Sequence, residues 1–370
     1  MVATGGKILI ISSEFPPNVG GIGNHAYNLA TALSNEGFAV TVMADIIDVP
    51  ENDLDEFETK QNFKISWIKR KDFLPKTYLN RIFQAIQLSL KAEKVICSGK
   101  FPLWLAILIR IFNARKDLIA VVHGSELDIK SAIPKKLTSY SLSKFNKIVS
   151  VSTFTQQFLP KSLPRQIQQF VIHNGINCSE FQINRGSALA GTPALVTVGS
   201  VTERKGQENV VSALPSILAI FPSTKYHVIG KPVIKEKLEK KARELQVDNC
   251  VKFYGAVNRD QLLQKLSGAT IKLMLSNHTK DGDFEGFGIA VLEANTFGVP
   301  VVGSKNSGIA DAIVDYRTGI LVNQHEPLEV TNAIKMIVKD YSFFSANAKE
   351  WALQHDWKII VKEYVAVLKA

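Results

Sequence analysis

The sequence predicts an α/β protein of two Rossmann-like parallel-sheet domains in tandem. Three observations carry this. Short apolar, β-branched runs alternate with helix-period segments from the start, as in KILIIS (7–12), then NHAYNLATALSNEG, then FAVTVMAD. A polar stretch without period, INCSEFQINRGSALAGTP (176–193), interrupts that alternation and reads as a linker. After it the alternation begins again with ALVTVGS (194–200). At 370 residues and 46% apolar content, the chain has room for two packed domains of ordinary size.

In the first half, KVICSG (94–99), LIAVVHG (118–124), KIVSVS (147–152) and FVIHNG (170–175) are the further strands, with helices in NRIFQAIQLSLKA and LWLAILIRIF. In the second half, KYHVIG, VKFYGAV, TIKLMLS and VPVVGS are strands, and ENVVSALPSILAIF, KEKLEKKARELQV and QLLQKLSGA are helices. The domains are expected over 1–178 and 179–356, facing across a cleft, with a C-terminal helix at about 357–370 packing back onto the first. Ligands of such sheets bind beyond the carboxyl ends of the strands.

Several classes are disfavoured. The three cysteines, Cys97, Cys178 and Cys250, are odd in number and far apart, which argues against a disulfide framework and against paired metal-ligand doublets. The longest apolar run away from the start, FPLWLAILI (101–109), is well short of the roughly twenty residues of a membrane helix. The opening apolar run is too short for a secretory leader, so a cytoplasmic or peripheral location is expected. The net charge of +10 is uneven: Lys and Arg outnumber Asp and Glu by 20 to 5 over residues 60–178, but only 23 to 20 over 179–370. A local basic surface suits phosphate or anionic lipid, and solubility alone is the alternative.

The most informative stretch is DGDFEGFGIAVLEA (281–294). Two glycines inside a helix would each cost roughly 1 kcal/mol against alanine, so Gly286 and Gly288 belong to a loop that exposes amides beside Glu285. Glu293 then lies two turns further on, where a buried carboxylate can accept two hydroxyl hydrogen bonds. Asp281 and Asp283 can share a divalent ion, but no third ligand follows at obvious spacing, which favours a solvated acidic loop.

In TERKG (202–206), Arg204 and Lys205 precede a helix whose dipole they oppose unless they face an anion, which marks them as phosphate clamps or as a surface turn. Gly20, Gly21 and Gly23 offer amides at a helix start to a phosphate or sugar, or form a plain turn. With Asp45 they fit a dinucleotide fingerprint, but Ser13 to Val19 separate the first glycine from its strand, which disfavours a nicotinamide enzyme. His123 ends a buried strand at its carboxyl end, and a structural histidine is the alternative.

Taken in order, FPPNVGGIGNHAYNLATAL, VVHGSE, VIHNGIN, VGSVTERKGQENVVSAL and DFEGFGIAVLEANTFGVPVVGS with SGIADAI resemble the retaining glycosyltransferases of family 4 (glycosyl transferases group 1), which have the GT-B fold. The resemblance spans nearly the whole chain. It implies that Glu285 lies against the donor sugar and that Glu293 holds the nucleotide ribose. The amides after Gly286, those of Phe287, Gly288 and Ile289, would hold the sugar and diphosphate, and Lys205 would bind the diphosphate. Gly20 and Gly21 would pack against donor phosphate and acceptor, and His123 would touch the donor sugar near its reacting carbon. Two positions depart from the family: Ser200 stands where an arginine is common, with Arg204 the candidate to replace its charge, and Asn177 stands where an aspartate is common.

The expected activity is transfer of a hexose-type sugar from a nucleotide diphosphate sugar, without metal or other cofactor. The acceptor would be a glycan or a lipid-linked molecule in cell-surface polysaccharide or glycolipid synthesis. A nucleotide-sugar epimerase on the same fold and a non-catalytic sugar-nucleotide binder are the alternatives. An anionic membrane surface is a candidate partner: Lys64, Lys69, Arg70, Lys71, Lys76, Arg81, Lys91 and Lys94 are interleaved with Trp67, Phe73, Tyr78 and Phe83. No nucleic-acid recognition module is legible.

Overall fold

The computed structural model of the chain describes residues 5–18, 20–46, 49–69, 74–181, 188–280 and 282–370. It divides into a first unit, Met1–Gly175 with Trp357–Ala370, and a second, Ile176–Asp356.

The first unit holds strands β1 (Gly5–Ser12), β2 (Phe38–Ile46), β3 (Lys64–Lys69), β4 (Lys94–Ser98), β5 (Asp117–Val122), β6 (Lys147–Ser150) and β7 (Gln168–Val171). Its helices are α1 (Gly21–Asn35), α2 (Glu51–Thr59), α3 (Leu74–Lys91), α4 (Lys100–Phe112), α5 (Ala132–Leu142) and the single turn α6 (Thr153–Gln156). The strands form one parallel sheet in the order β3-β2-β1-β4-β5-β6-β7. Ile8, Leu9, Ile10 and Ile11 of β1 are all buried, because a central parallel strand is covered on both faces; hence the unbroken apolar run.

The second unit repeats the plan with β8 (Ala194–Val198), α7 (Gln207–Ile220), β9 (Lys225–Ile229), α8 (Lys235–Glu244), β10 (Val251–Gly255), α9 (Arg259–Ser267) and β11 (Ile271–Met274). It continues with α10 (Ile289–Thr296), β12 (Val301–Ser304), β13 (Gly319–Val322), α11 (Pro327–Lys339) and α12 (Tyr341–Gln354). The parallel order is β10-β9-β8-β11-β12-β13. Leu195, Leu273, Val302 and Ile320 of this sheet pack with Val210, Leu214 and Ile217 of α7 and with Ile334 of α11.

In each sheet the order reverses beside its first strand, between β1 and β4 and between β8 and β11. Loops leaving neighbouring strands there diverge to opposite faces, and the crevice between them is the usual ligand position of an α/β sheet. The loops after β1, β4, β5, β8 and β11 carry His123 and the Arg204, Lys205 and Glu285 set.

The last helix, α13 (Trp357–Lys369), belongs to the first unit and packs on α1. The Tyr364 hydroxyl meets His25 Nε2 at 3.0 Å. Gly175 closes this unit against Trp357: a Cβ on it would stand 2.8 Å from the indole.

The units divide after Gly175, three residues before the expected 178, and the start of the expected linker is ordered against the second unit. Ile176 donates its amide to the His355 carbonyl at 2.8 Å, Cys178 donates to Asp356 Oδ2 at 3.1 Å, and Phe181 is buried with its ring 5.9 Å from Phe297. Residues 182–187 of that stretch lie outside the described residues. No helix among the described residues is long and apolar enough to cross a membrane.

Candidate active site

The second unit's site is built where β8 and β11 end. The β8–α7 turn needs glycine at two points. Gly206 caps α7 at φ +68, where a Cβ would stand 1.7 Å from the Leu275 carbonyl oxygen just past β11. Gly199 lies beneath the Lys205 stem, with a Cβ position 3.2 Å from Lys205 Cε. The turn is then tied to the end of β11: Asn277 donates its amide to the Arg204 carbonyl at 2.8 Å and its side chain to the Glu203 carbonyl at 2.9 Å. Asn209 of α7 donates to the Leu275 carbonyl at 2.9 Å.

This lacing places Arg204 and Lys205 over Glu285. Arg204 Nη1 and Lys205 Nζ donate to Glu285 Oε2 at 2.5 and 2.6 Å. The side chains are 26%, 15% and 15% exposed, so the triad is largely shielded from solvent. Burial alone would push the Glu285 carboxyl up, but Lys205 and Arg204 outweigh it and hold the group below the ordinary carboxylate range.

Glu285 is carried on the loop into α10, and the two glycines after it lie before the helix rather than in it. Gly288 is the N-cap at φ +84, a left-handed conformation against Met274 and Ile309 that a side chain would strain. Gly308 backs the loop from the turn after β12: its amide donates to the Glu285 carbonyl at 2.9 Å, and a Cβ on it would stand 2.0 Å from the Gly286 oxygen. As at any helix start, the first amides of α10, those of Ile289 and Ala290, have no intrahelical acceptor, while Val291 already donates to the Gly288 carbonyl at 2.8 Å. The Phe287 ring is buried with its centroid 6.3 Å from that of His355, so this residue offers a ligand its main chain only. Glu293 is half-buried on α10, more open than the buried carboxylate expected, and makes no ion pair among the described residues.

Asp283 is exposed, and Arg204 Nε lies 3.0 Å from its Oδ2. Its companion Asp281 lies outside the described residues. Among the described residues no group of three His, Cys, Asp or Glu is placed to hold a metal.

In the first unit the glycine loop differs from expectation. Helix α1 begins at Gly21 with Gly20 as N-cap, three residues earlier than the sequence reading. The Glu14 carboxylate covers this start: a Cβ on Gly20 would stand 1.9 Å from Glu14 Oε2, and the carboxylate accepts from the Gly23 amide. Burial, which the Gly23 bond only partly offsets, raises the Glu14 carboxyl. The anion facing these amides is therefore the chain's own. Gly21 has open space above it, whereas Gly23 is buried against the Phe15 amide. Asp45, the acidic residue of the dinucleotide pattern, is gripped by Arg81 through Nε at 2.8 Å and through Nη2, and so is engaged within the protein.

His123 follows β5, half-buried, with Nε2 2.9 Å from Ser98 Oγ and its ring edge-on to His25 at 4.9 Å. Its amide donates to Glu126 Oε1 at 2.6 Å. Burial lowers His123 to about 4, so the imidazole is neutral at physiological pH. Glu126, inside VVHGSE, is buried and raised by desolvation, with Oε2 unpartnered among the described residues. Sequence reasoning passed over Glu126, His25 and Lys272, a lysine buried in β11. A cation among the apolar residues of TIKLMLS was the available signal for the last.

Two Rossmann-like parallel-sheet units in series, the second carrying a cation–carboxylate–glycine site at its switch point, define the GT-B class of glycosyltransferases. Residues 19–180 match the family described as Glycosyltransferase Family 4, and residues 180–352 match Glycosyl transferases group 1. The chain belongs to this family of glycosyltransferases. It is 26% identical to an uncharacterized glycosyltransferase of Methanocaldococcus jannaschii, over 98% of each chain. It is 23% identical to the GDP-mannose-dependent alpha-(1-6)-phosphatidylinositol monomannoside mannosyltransferase of Mycolicibacterium smegmatis, over 95% of each. Among solved structures, Anabaena HepE in complex with UDP and glucose superposes with a TM-score of 0.77 at 17% identity, covering 98% of this chain and 99% of that one.

Proposed function

We propose that the protein is a retaining glycosyltransferase that moves a hexose-type sugar from a nucleoside diphosphate sugar to a glycan or lipid-linked acceptor, in the synthesis of a cell-surface polysaccharide or glycolipid. The observation that carries this is the Arg204–Lys205–Glu285 triad beside the start of α10. Two cations and a helix N-terminus suit a diphosphate, whose negative charge grows as the glycosidic bond to it breaks. The HepE complex with UDP and glucose and the GDP-mannose-dependent relative support a nucleotide-sugar donor.

In this reading the bond between the anomeric carbon and the β-phosphate oxygen breaks, and its electron pair leaves with the diphosphate. The acceptor oxygen bonds to the anomeric carbon on that same face, and its proton passes to the departing phosphate. Lys205, Arg204 and the amides of Phe287, Gly288 and Ile289 stabilise the leaving group. Glu285 lies against the sugar, Glu293 accepts the ribose hydroxyls, and neutral His123 contacts the sugar near the reacting carbon. Gly21, with open space above it, approaches donor phosphate and acceptor, and Gly20 does so only where the Glu14 carboxylate that covers it moves aside. No metal is needed, because the cations of the β8–α7 turn supply the positive charge.

The first unit is proposed to rest on an anionic membrane. Tyr78, Leu79, Phe83 and Leu90 of α3 are exposed, as are Ile133 and Tyr140 of α5, with Lys76, Lys91, Lys135 and Lys136 exposed on the same helices. Large apolar side chains bordered by lysines suit the headgroup region.

The test is transfer from a panel of nucleoside diphosphate sugars, with the product's anomeric configuration read by NMR. Retention with an acceptor supports the reading. Inversion refutes the retaining mechanism, and donor conversion without acceptor points to an epimerase instead. A panel in which no donor is bound or consumed overturns the functional assignment.

A further inference from the structure

Lys272 lies in β11, inside the second sheet, and is 0% exposed. Its strand neighbours Ile271 and Leu273 enter the apolar core with α7 and α11. Alternation sends Lys272 to the opposite face with Met274, whose Cε stands 3.0 Å from a Cβ position on Gly288 at the start of α10. The residues level with Lys272 in the adjoining strands are Val196 and Val301, which offer no side-chain acceptor. Among the described residues its Nζ has no hydrogen-bond partner. The charged groups that act on it are Glu293 of α10, Lys205 of the β8–α7 turn and Glu285 of the loop.

A buried ammonium without an acceptor is costly, and an apolar residue of similar volume would satisfy this position better. Such a cost beside a functional site points to a role in that site.

We propose that Lys272 is a positioning residue of the donor site, whose buried ammonium holds Glu293 and Glu285 in place when a donor diphosphate draws Arg204 and Lys205 away from Glu285. This rests on the nucleotide-sugar reading. In the structure Glu285 is balanced by the same two cations that the diphosphate requires. Once they are shared with two phosphates, Glu285 loses counter-charge, and Lys272 is the cation left beneath it and Glu293. Lys272 cannot follow the phosphates, because its stem is fixed in the sheet. Being buried, its charge is screened less than that of a surface lysine.

The experiment is Lys272→Met, a near-isosteric change that removes the charge. Tm, the dissociation constants of UDP-glucose and GDP-mannose as donor probes, and their pH dependence are measured beside the parent protein. Burial lowers Lys272 to about 8, so in the parent protein donor affinity should weaken as pH rises through that value. The variant should bind donor at least tenfold more weakly at pH 7, show no such alkaline limb, and keep a Tm no lower than the parent. Unchanged affinity and pH profile would overturn the proposal. So would a lowered Tm accompanying the loss, which would mark a residue that merely supports the fold. A parent protein that binds no nucleotide sugar defeats the functional reading itself. A parent that binds, with a variant that binds equally, defeats only the role of Lys272.

Discussion

Arg204 and Lys205, adjacent on one turn, donate to the same oxygen, Oε2 of Glu285, from 81 and 80 residues away in the chain. The turn brings both cations to a carboxylate that neither could pair with locally. Two cations share one carboxylate, with the exposed Asp283 also against Arg204, so in the proposed reading an incoming diphosphate competes for cations already in position.

Removing that carboxylate separates catalysis from binding. Glu285→Gln is expected to lower kcat by about 100-fold with a smaller change in donor KM, because interactions made mainly in the transition state act on turnover. Glu293→Ala is expected to raise donor KM by about tenfold, the order of a lost hydrogen bond to a charged group. Steady-state kinetics on both variants decide this, and equal effects on donor KM alone would refute the division of roles.

Glu285 also predicts an acid limit. Its folded pKa lies below the ordinary value, so the fold favours the ionised form. That contribution is complete above the unfolded carboxylate pKa of about 4.3 and is lost as pH falls through the lower folded value. Thermal unfolding of the parent and Glu285→Gln should show a Tm gap that closes on acidification below about pH 4. A gap constant from pH 7 to pH 3 would contradict the assignment.

The first unit should weaken earlier on the same acid side. Burial lowers His25 well below its ordinary value, with His123 as a further cause, and lowers His123 to about 4. Between that pH and the unfolded histidine pKa of about 6.5 the unfolded state binds more protons, so stability falls as pH falls across this window. His123→Asn should flatten the decline, measured as the Tm of the first unit's transition. A slope equal to the parent's would exclude His123 as its source.

Transfer should persist in excess chelator. Asp283 is already paired with Arg204, and two cations lie beside the loop into α10. Loss of activity in chelator, restored by magnesium or manganese, would reverse this prediction.

Vesicle sedimentation tests the membrane face. Tyr78, Leu79 and Phe83 are 44%, 66% and 66% exposed, whereas Trp67, expected among the interfacial rings, packs 6.0 Å from Phe15 and donates to Glu58. Arg81 is likewise held by Asp45, and Arg70, Lys71 and Phe73 lie outside the described residues. Binding to anionic vesicles should therefore depend on Leu79, Phe83 and the α3 and α5 lysines. Phe83→Asp should abolish it while leaving transfer to a soluble acceptor intact, and 1 M salt, where the Debye length is about 3 Å, should weaken it. Equal binding to neutral vesicles would reject the idea.

The alternation of strands and helices was legible because buried parallel strands and amphipathic helices leave periodic local patterns. KILIIS and ALVTVGS could hardly be read otherwise. The α2 and β3 segment was passed over, since ENDLDEFET is polar and KISWIK is an edge strand whose pattern is weak over six residues. The start of α1 was placed late because glycine's low helix propensity hid Gly21 and Gly23 from a propensity argument. In the structure Gly23 serves close packing on Phe15, which only the neighbouring loop reveals.

By itself the sequence determined the two-unit α/β plan and marked the residues proposed for the donor site: glycines that can expose amides, paired cations at a turn, and two spaced carboxylates. These are local properties of residue type and spacing. Tertiary structure alone decided which charges meet. It set Arg204 and Lys205 on Glu285, Glu14 over the start of α1, and Arg81 on Asp45. It also buried Lys272 without a partner. Charge pairing and desolvation depend on distances between residues remote in the chain, and those distances exist only once the strands are laid side by side.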